Sequence, residues 1–224
     1  MPAHIAPSRA GTLAVRDLGC LRGDVPVFAG VGFALEPGAA LVLRGPNGSG
    51  KSSLLRVLAG LLPAAAGQIL WDGTPVDPAD EAHRGRVAYL GHADALKPVL
   101  TARENLAFWA RLQAAPADAA QAALDDLDLA SLADTPVGRL SAGQRRRLAI
   151  ARVAASAAPV WLLDEPAVSL DGAALERLAA VLAAHRDAGG SAVVATHRTL
   201  GLPDARELDM AHHEPAPLPP EAVP

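Results

Sequence analysis

The stretch Gly45-Pro46-Asn47-Gly48-Ser49-Gly50-Lys51-Ser52 sets glycines, a lysine and a hydroxyl at the spacing of a phosphate-binding loop. Gly45, Gly48 and Gly50 permit backbone turns that a side chain would block. Such a turn aims successive N–H groups inward and forms a nest for phosphate oxygens. A helix starting near Lys51 adds its positive N-terminal end. The Lys51 ammonium can then reach β- and γ-phosphates, and the Ser52 hydroxyl can ligate Mg²⁺.

A second constellation supplies the metal partner. The apolar run Val160-Trp161-Leu162-Leu163 ends in Asp164-Glu165. A buried strand ending this way delivers carboxylates to its C-terminal edge. Asp164 suits Mg²⁺, usually held through water. Glu165 is placed to orient or deprotonate a water at the γ-phosphate, a form of help that gives about 10²–10⁴-fold in rate. The plainer alternative is an acidic pair that caps helices. His197 follows another apolar run, residues 191–196, and could hydrogen-bond the γ-phosphate and the attacking water. Alone, a capping or surface histidine is the commoner case. Leu140-Ser141-Ala142-Gly143-Gln144 precedes an Arg/Ala-rich helical stretch, so Ser141 and Gly143 stand at a helix start, again an anion site. Arg145-Arg146-Arg147 reads as a solvated or ion-paired helix face.

These groups need elements to hold them. Residues 40–43 read as a buried strand before the loop, and residues 53–60 as a helix packed on it. Residues 12–15 and 31–35 read as extended segments joined by a Gly/Pro-containing turn. Residues 68–71 and 87–90 are further strands. From 101 the pattern turns helical, over 101–114 and 117–127 around Pro116, with Thr101 and Glu104 forming a capping box. A helix over 173–185 precedes the strand at 191–196. Strands and helices thus alternate around a helix-rich insertion. This is an α/β fold with a mostly parallel core sheet and a helical lobe at about 95–155. One domain is expected over 11–210, with flexible tails at 1–10 and 211–224.

Composition narrows the function classes. The 224 residues carry 20 Lys and Arg against 24 Asp and Glu, a net charge of −4, which argues against a dedicated nucleic-acid binder. Aromatics are 3%, too few for base-stacking platforms. Cys20 alone excludes an internal disulfide or Cys-rich metal site. The N-terminus lacks the apolar core of a signal peptide. The longest uncharged window, 57–71, is too short and too broken by Gly and Pro to span a bilayer.

Gly45 to Ser52, Leu140 to Gln144, Leu162 to Pro166, Ser169-Leu170-Asp171 and His197 occur in the order of the ATP-binding cassette family. They resemble its Walker A, signature, Walker B, D-loop and switch histidine, and together cover about residues 12–200. The resemblance implies an ABC-type P-loop NTPase domain with an N-terminal antiparallel β subdomain and a helical subdomain. It implies ATP and Mg²⁺ as ligands, with Ser53 joining the Walker A residues around the nucleotide. Two cassettes would meet head to tail, in a homodimer, so that Leu140, Ser141, Ala142, Gly143 and Gln144 serve the nucleotide of the other copy. The helical lobe and the segment near His92 would couple to membrane-embedded subunits. Two positions depart from the family. Gly91-His92 stands where a Gln loop is usual, and His92 could contact the attacking water or the coupling surface. The aromatic that stacks on adenine is replaced by Cys20-Leu21-Arg22, where Arg22 could stack its guanidinium.

Among cassettes the chain is most similar to the ATPase subunit of the cytochrome c maturation (haem export) transporters. Leu90-Gly91-His92 carries most of this. Cys20-Leu21-Arg22-Gly23, Leu70-Trp71-Asp72-Gly73 and Thr101-Ala102-Arg103-Glu104-Asn105-Leu106 add to it. This resemblance implies a peripheral ATPase on the cytoplasmic face of a bacterial inner membrane, supporting haem transfer or release of haem-loaded chaperone. No direct haem binding is expected, since His4, His83, His212 and His213 are scattered. The alternatives are the ATPase of another exporter, for lipoprotein release or drug efflux, and a non-transport cassette. A plain P-loop kinase or GTPase leaves Leu140 to Gln144 unexplained.

Overall fold

The structure is a computed structural model, and it describes residues 10–113 and 115–214. The ends 1–9 and 215–224, which include His4 and most of both expected tails, lie outside the described residues, as does Ala114. In chain order the elements are β1 (Leu13–Arg22), β2 (Val25–Leu35), β3 (Ala40–Arg44), α1 (Lys51–Leu58), β4 (Ala66–Trp71), β5 (Thr74–Val76), α2 (Glu81–Arg84) and β6 (Val87–Leu90). Then follow α3 (Ala102–Leu112), α4 (Ala119–Asp126), α5 (Ala142–Ala154), β7 (Val160–Asp164), α6 (Gly172–Asp187), β8 (Ser191–Ala195) and β9 (Arg206–Asp209).

Two sheets result. β2-β1-β4-β5 is antiparallel, and β6-β7-β8-β3-β9 is parallel throughout. A parallel sheet covered on both faces needs strands that are apolar on both sides. All five residues of β7 and of β8 are buried. Alternation along β7 divides it between two cores. Trp161 and Leu163 pack with α5 and α6 on the side of the helical lobe. Val160 and Leu162 pack with α1 and the antiparallel sheet on the other. Each such fully buried large side chain contributes about 1.5–3 kcal/mol. The two cores fix the C-terminal end of β7, and with it Asp164, against the start of α1.

The capping box at α3 forms as read: Glu104 N–H donates to Thr101 Oγ1 (3.2 Å) and Thr101 N–H to Glu104 Oε2 (2.8 Å). The first hairpin differs from expectation. Residues 16–30, read as mostly turn, lie almost wholly in β1 and β2, and only Gly23 and Asp24 turn. The register shifts at three points, and Asp17 and Gly30 have positive φ. Bulges of this kind break the two-residue alternation by which a strand is recognised. The short edge strands β5 and β9 also went unread. Residues 211–213, assigned to a tail, belong to a 3₁₀ turn at Met210–His213 whose Met210 side chain is fully buried.

Candidate active site

β3 runs into the phosphate loop between its neighbours β8 and β9, so the loop emerges from the interior of the parallel sheet. Gly45, Gly48 and Gly50 all adopt left-handed φ, of 126°, 90° and 93°. At Gly50 the requirement is also steric: a Cβ would sit 3.0 Å from the Phe28 ring. Gly50 caps α1 with no side-chain hydrogen bond, which leaves the first-turn N–H groups turned towards the loop. Lys51 is only 8% exposed, and its Nζ donates to the Gly45 and Pro46 carbonyls at 2.7 and 2.8 Å. The ammonium is therefore held inside the curl of the loop, within reach of whatever anion the N–H groups bind.

Ser52, on the first turn of α1, donates through Oγ to Asp164 Oδ1 at 3.0 Å. Asp164 ends β7 and is buried. Glu165 follows with φ of 47°, a left-handed conformation in a residue other than glycine. Its N–H donates to the Ala195 carbonyl at the end of β8 (2.8 Å). From the same strand end His197 crosses to the loop. Its Nε2 lies 3.2 Å from Asn47 Oδ1, which accepts from it, and 3.6 Å from Glu165 Oε1. Four segments far apart in sequence thus converge on one cavity of about 540 Å³.

Asn47, Gly48, Gly50, Lys51, Ser52 and Ser53 line that cavity together with Asp164, Glu165 and His197. Gly45, Pro46 and Ser49 belong to the loop but do not line the cavity. Arg22, Val25, Pro26 and Val27 also line the cavity. Arg56, one turn beyond Ser52 on α1, also lines it and was not singled out from sequence; its i+4 spacing from Ser52 was the available signal.

The remaining motif residues lie outside this cavity. Ser141 caps α5 in a second capping box, accepting from Gln144 N–H (3.2 Å) and donating its own N–H to Gln144 Oε1 (2.8 Å). Leu140 is buried in the helical-lobe core, while Ser141 and Ala142 are exposed. Gly143 packs so closely on the chain at Ser169 that a Cβ would stand 2.9 Å from the Ser169 carbonyl. Asp171 caps α6, accepting from Ala174 N–H at 2.8 Å, and Leu170 is buried. His92 is exposed and lines a separate small cleft with Ala142, Arg145 and Ser169. Among the arginines after the signature, Arg147 pairs with Asp128 (3.2 Å) as an ion-paired face predicts. Arg146 corrects that prediction: it is 5% exposed and spends its guanidinium on interior carbonyls. His83 is a buried core histidine bound to the Leu58 carbonyl, distant from the cavity.

A glycine-rich loop opening a helix beside a strand-end Asp-Glu pair, with a Ser-x-Gly-Gln capped helix on the same chain, defines a class. The family described as ABC transporter matches residues 28–168, and the chain belongs to that family. Its fold resembles an ATP-binding subunit of an ABC transporter (TM-score 0.76, 24% identity, 83% of this chain and 79% of that one). It also resembles the dimeric post-hydrolysis state of the ATP-binding cassette MJ0796 bound to ADP and Pi (TM-score 0.75, 25% identity, 83% and 88%). Like the family, the protein binds and hydrolyses ATP. Its sequence is 51% identical to the cytochrome c biogenesis ATP-binding export protein CcmA of Rhodospirillum rubrum, over 94% of this chain and 91% of that protein. It is 52% identical to CcmA of Paramagnetospirillum magneticum, over 89% and 94%. Within the ABC transporters the chain belongs with the CcmA proteins.

Proposed function

We propose that this chain is the ATP-driven subunit of a membrane complex for c-type cytochrome maturation, working at the cytoplasmic face of a bacterial inner membrane. The observation that carries the catalytic half is the convergence of Lys51, Ser52, Asp164, Glu165 and His197 on one cavity. Lys51 leaves the Gly45 and Pro46 carbonyls for the β- and γ-phosphates. Glu165 accepts a proton as a water oxygen bonds to the γ-phosphorus. The bond from that phosphorus to the bridging oxygen breaks, and ADP departs with the electron pair. His197, tied to Asn47, holds the γ-phosphate end of the site. Arg22 offers a flat cation to the base in place of an aromatic ring.

The residues present fit Mg²⁺. Ser52 Oγ and Asp164 Oδ1 are hard oxygen donors 3.0 Å apart, and such an ion is ordinarily bound by one or two protein oxygens plus phosphate and water. Among the described residues there is no cluster of three or more His, Cys, Asp or Glu side chains that would form an all-protein cage. Once bound, the ion would neutralise charge developing on the phosphates.

Ser141 and Gly143 serve the nucleotide of a second copy. The exposure of Ser141, and the position of Leu140 to Gln144 away from this chain's own cavity, support that reading. Among the described residues no helix is long and apolar enough to cross a membrane, so the proposed membrane attachment falls to partner subunits. A groove of about 800 Å³ fits them: Leu61, Tyr89, Trp109 and Leu112 line it, between the parallel sheet and the helical lobe. Haem is left to those partners. A mixed dimer tests the arrangement. Ser141→Arg in one copy blocks hydrolysis at the other copy's site and leaves nucleotide binding at its own. Loss of ATP from the variant's own subunit would overturn it.

A further inference from the structure

Arg146 stands on the second turn of α5, the helix that begins at the signature, and reaches back under the active site. Its side chain is 6% exposed. Nη1 donates to the Gly91 carbonyl and to Asp94 Oδ1, both at 3.0 Å. Nη2 donates to the Asp164 carbonyl at 2.7 Å and the Glu165 carbonyl at 2.8 Å. All four Nη hydrogens are therefore used, and Nε has no hydrogen-bond partner among the described residues. A buried cation set mainly on neutral carbonyls, with one partly exposed carboxylate, is an expensive way to gain stability. What it does supply is a fixed geometry at two places.

The first place is Glu165. Its backbone is left-handed, with its N–H held by Ala195 and its carbonyl by Arg146. Those two bonds pin the peptide groups on either side of the Cα, and so set the direction in which the carboxylate leaves the chain. The second place is the loop after β6. Gly91, Ala93 and Ala95 form part of the wall of the large groove, whereas His92 turns to a different cleft. One planar guanidinium thus bridges the groove wall and the backbone of Glu165.

We propose that Arg146 is the positioning residue through which the loop at residues 91–94 sets the aim of Glu165, so that displacement of the groove wall changes the hydrolytic rate without changing nucleotide affinity. This rests on Glu165 being the general base. Arg is suited to the task and Lys is not, because only a fork can satisfy the loop and the strand end together.

The test uses the full chain, with MgATP turnover and equilibrium binding of a fluorescent ATP analogue measured on the same preparations. Arg146→Lys keeps the charge and loses the fork. It is expected to lower kcat about tenfold or more, since small misplacements of catalytic groups cost up to about 10²-fold, with analogue affinity within about twofold of wild type. Asp94→Ala frees one arm and is expected to lower kcat about threefold at unchanged affinity. The double variant should match Arg146→Lys alone, because the two residues act through one contact. Analogue affinity falling in step with kcat, kcat losses that multiply in the double variant, or wild-type kcat in both single variants would overturn the proposal. If Arg146→Lys does not fold, Asp94→Ala decides by itself: reduced kcat at unchanged affinity supports it and unchanged kcat refutes it. Glu165→Gln separates the two levels. Normal turnover there removes the general-base assignment, while silent Arg146 and Asp94 variants beside an inactive Glu165→Gln remove only the clamp.

Discussion

Replacing Glu165 by glutamine removes one negative charge and almost nothing else. The side chain keeps its length and shape. The left-handed backbone is as accessible to Gln as to Glu, and both backbone anchors, to Ala195 and from Arg146, are untouched. The carboxylate's ion-pair contact is with His197 Nε2 at 3.6 Å, and that imidazole is 53% exposed. A pair of this kind is worth about 0–1 kcal/mol, so the melting temperature should move by no more than about 4 °C. The rate is another matter. General-base help of about 10²–10⁴-fold corresponds to about 2.7–5.4 kcal/mol of transition-state stabilisation, at 1.36 kcal/mol per decade. Affinity for MgATP should hold or rise, because the proposed mechanism sets this carboxylate beside the γ-phosphate and the substitution neutralises it. The assay is phosphate release at saturating MgATP, paired with equilibrium nucleotide binding and a thermal melt. A fall in kcat of less than about tenfold would refute the assignment. So would a fall matched by an equal loss of affinity, which would place Glu165 in binding.

Two further outcomes follow from other parts of the molecule. Leu112, 66% exposed on the groove, can be changed to Asp without touching the nucleotide cavity. Leu112→Asp should leave basal ATP hydrolysis within about twofold and abolish copurification with membrane subunits; retained copurification would dismiss the groove as the docking face. His83 is held neutral by burial, which pushes its pKa below the usual 6.5. The unfolded chain therefore binds the proton first. Stability is fully present above about pH 6.5 and is lost as pH falls towards the lower folded value, by at most about 1.4 kcal/mol per pH unit. His83→Gln should flatten the melting temperature against pH over that window, and an unchanged slope would exclude His83 as its source.

How much was legible depended on whether a feature was local. The phosphate loop could be read because its glycines, Lys51 and Ser52 form one continuous stretch, and its conformation follows from the positive φ those glycines take. β7 and β8 could be read because burial on both faces leaves a plain apolar run. β1 and β2 were half read because bulges disrupt their period. β9 was missed because three of its four residues, Arg206, Glu207 and Asp209, are charged.

Arg146 marks the limit. In sequence it is the middle of three arginines, and helical periodicity alone does not say which of them turns inward. Packing α5 against β6 and β7 decides it, since only that face meets the carbonyls at Gly91, Asp164 and Glu165. The identity of the chemistry, binding and hydrolysis of ATP, was written in short motifs whose physics is contained in neighbouring residues. The tertiary structure alone decided which distant groups share the cavity. It brought His197 to Asn47 and Ser52 to Asp164, placed Ser141 outside, and turned His92 away. Those contacts join residues more than a hundred positions apart or depend on how a helical lobe seats on a sheet, and no local spacing encodes them.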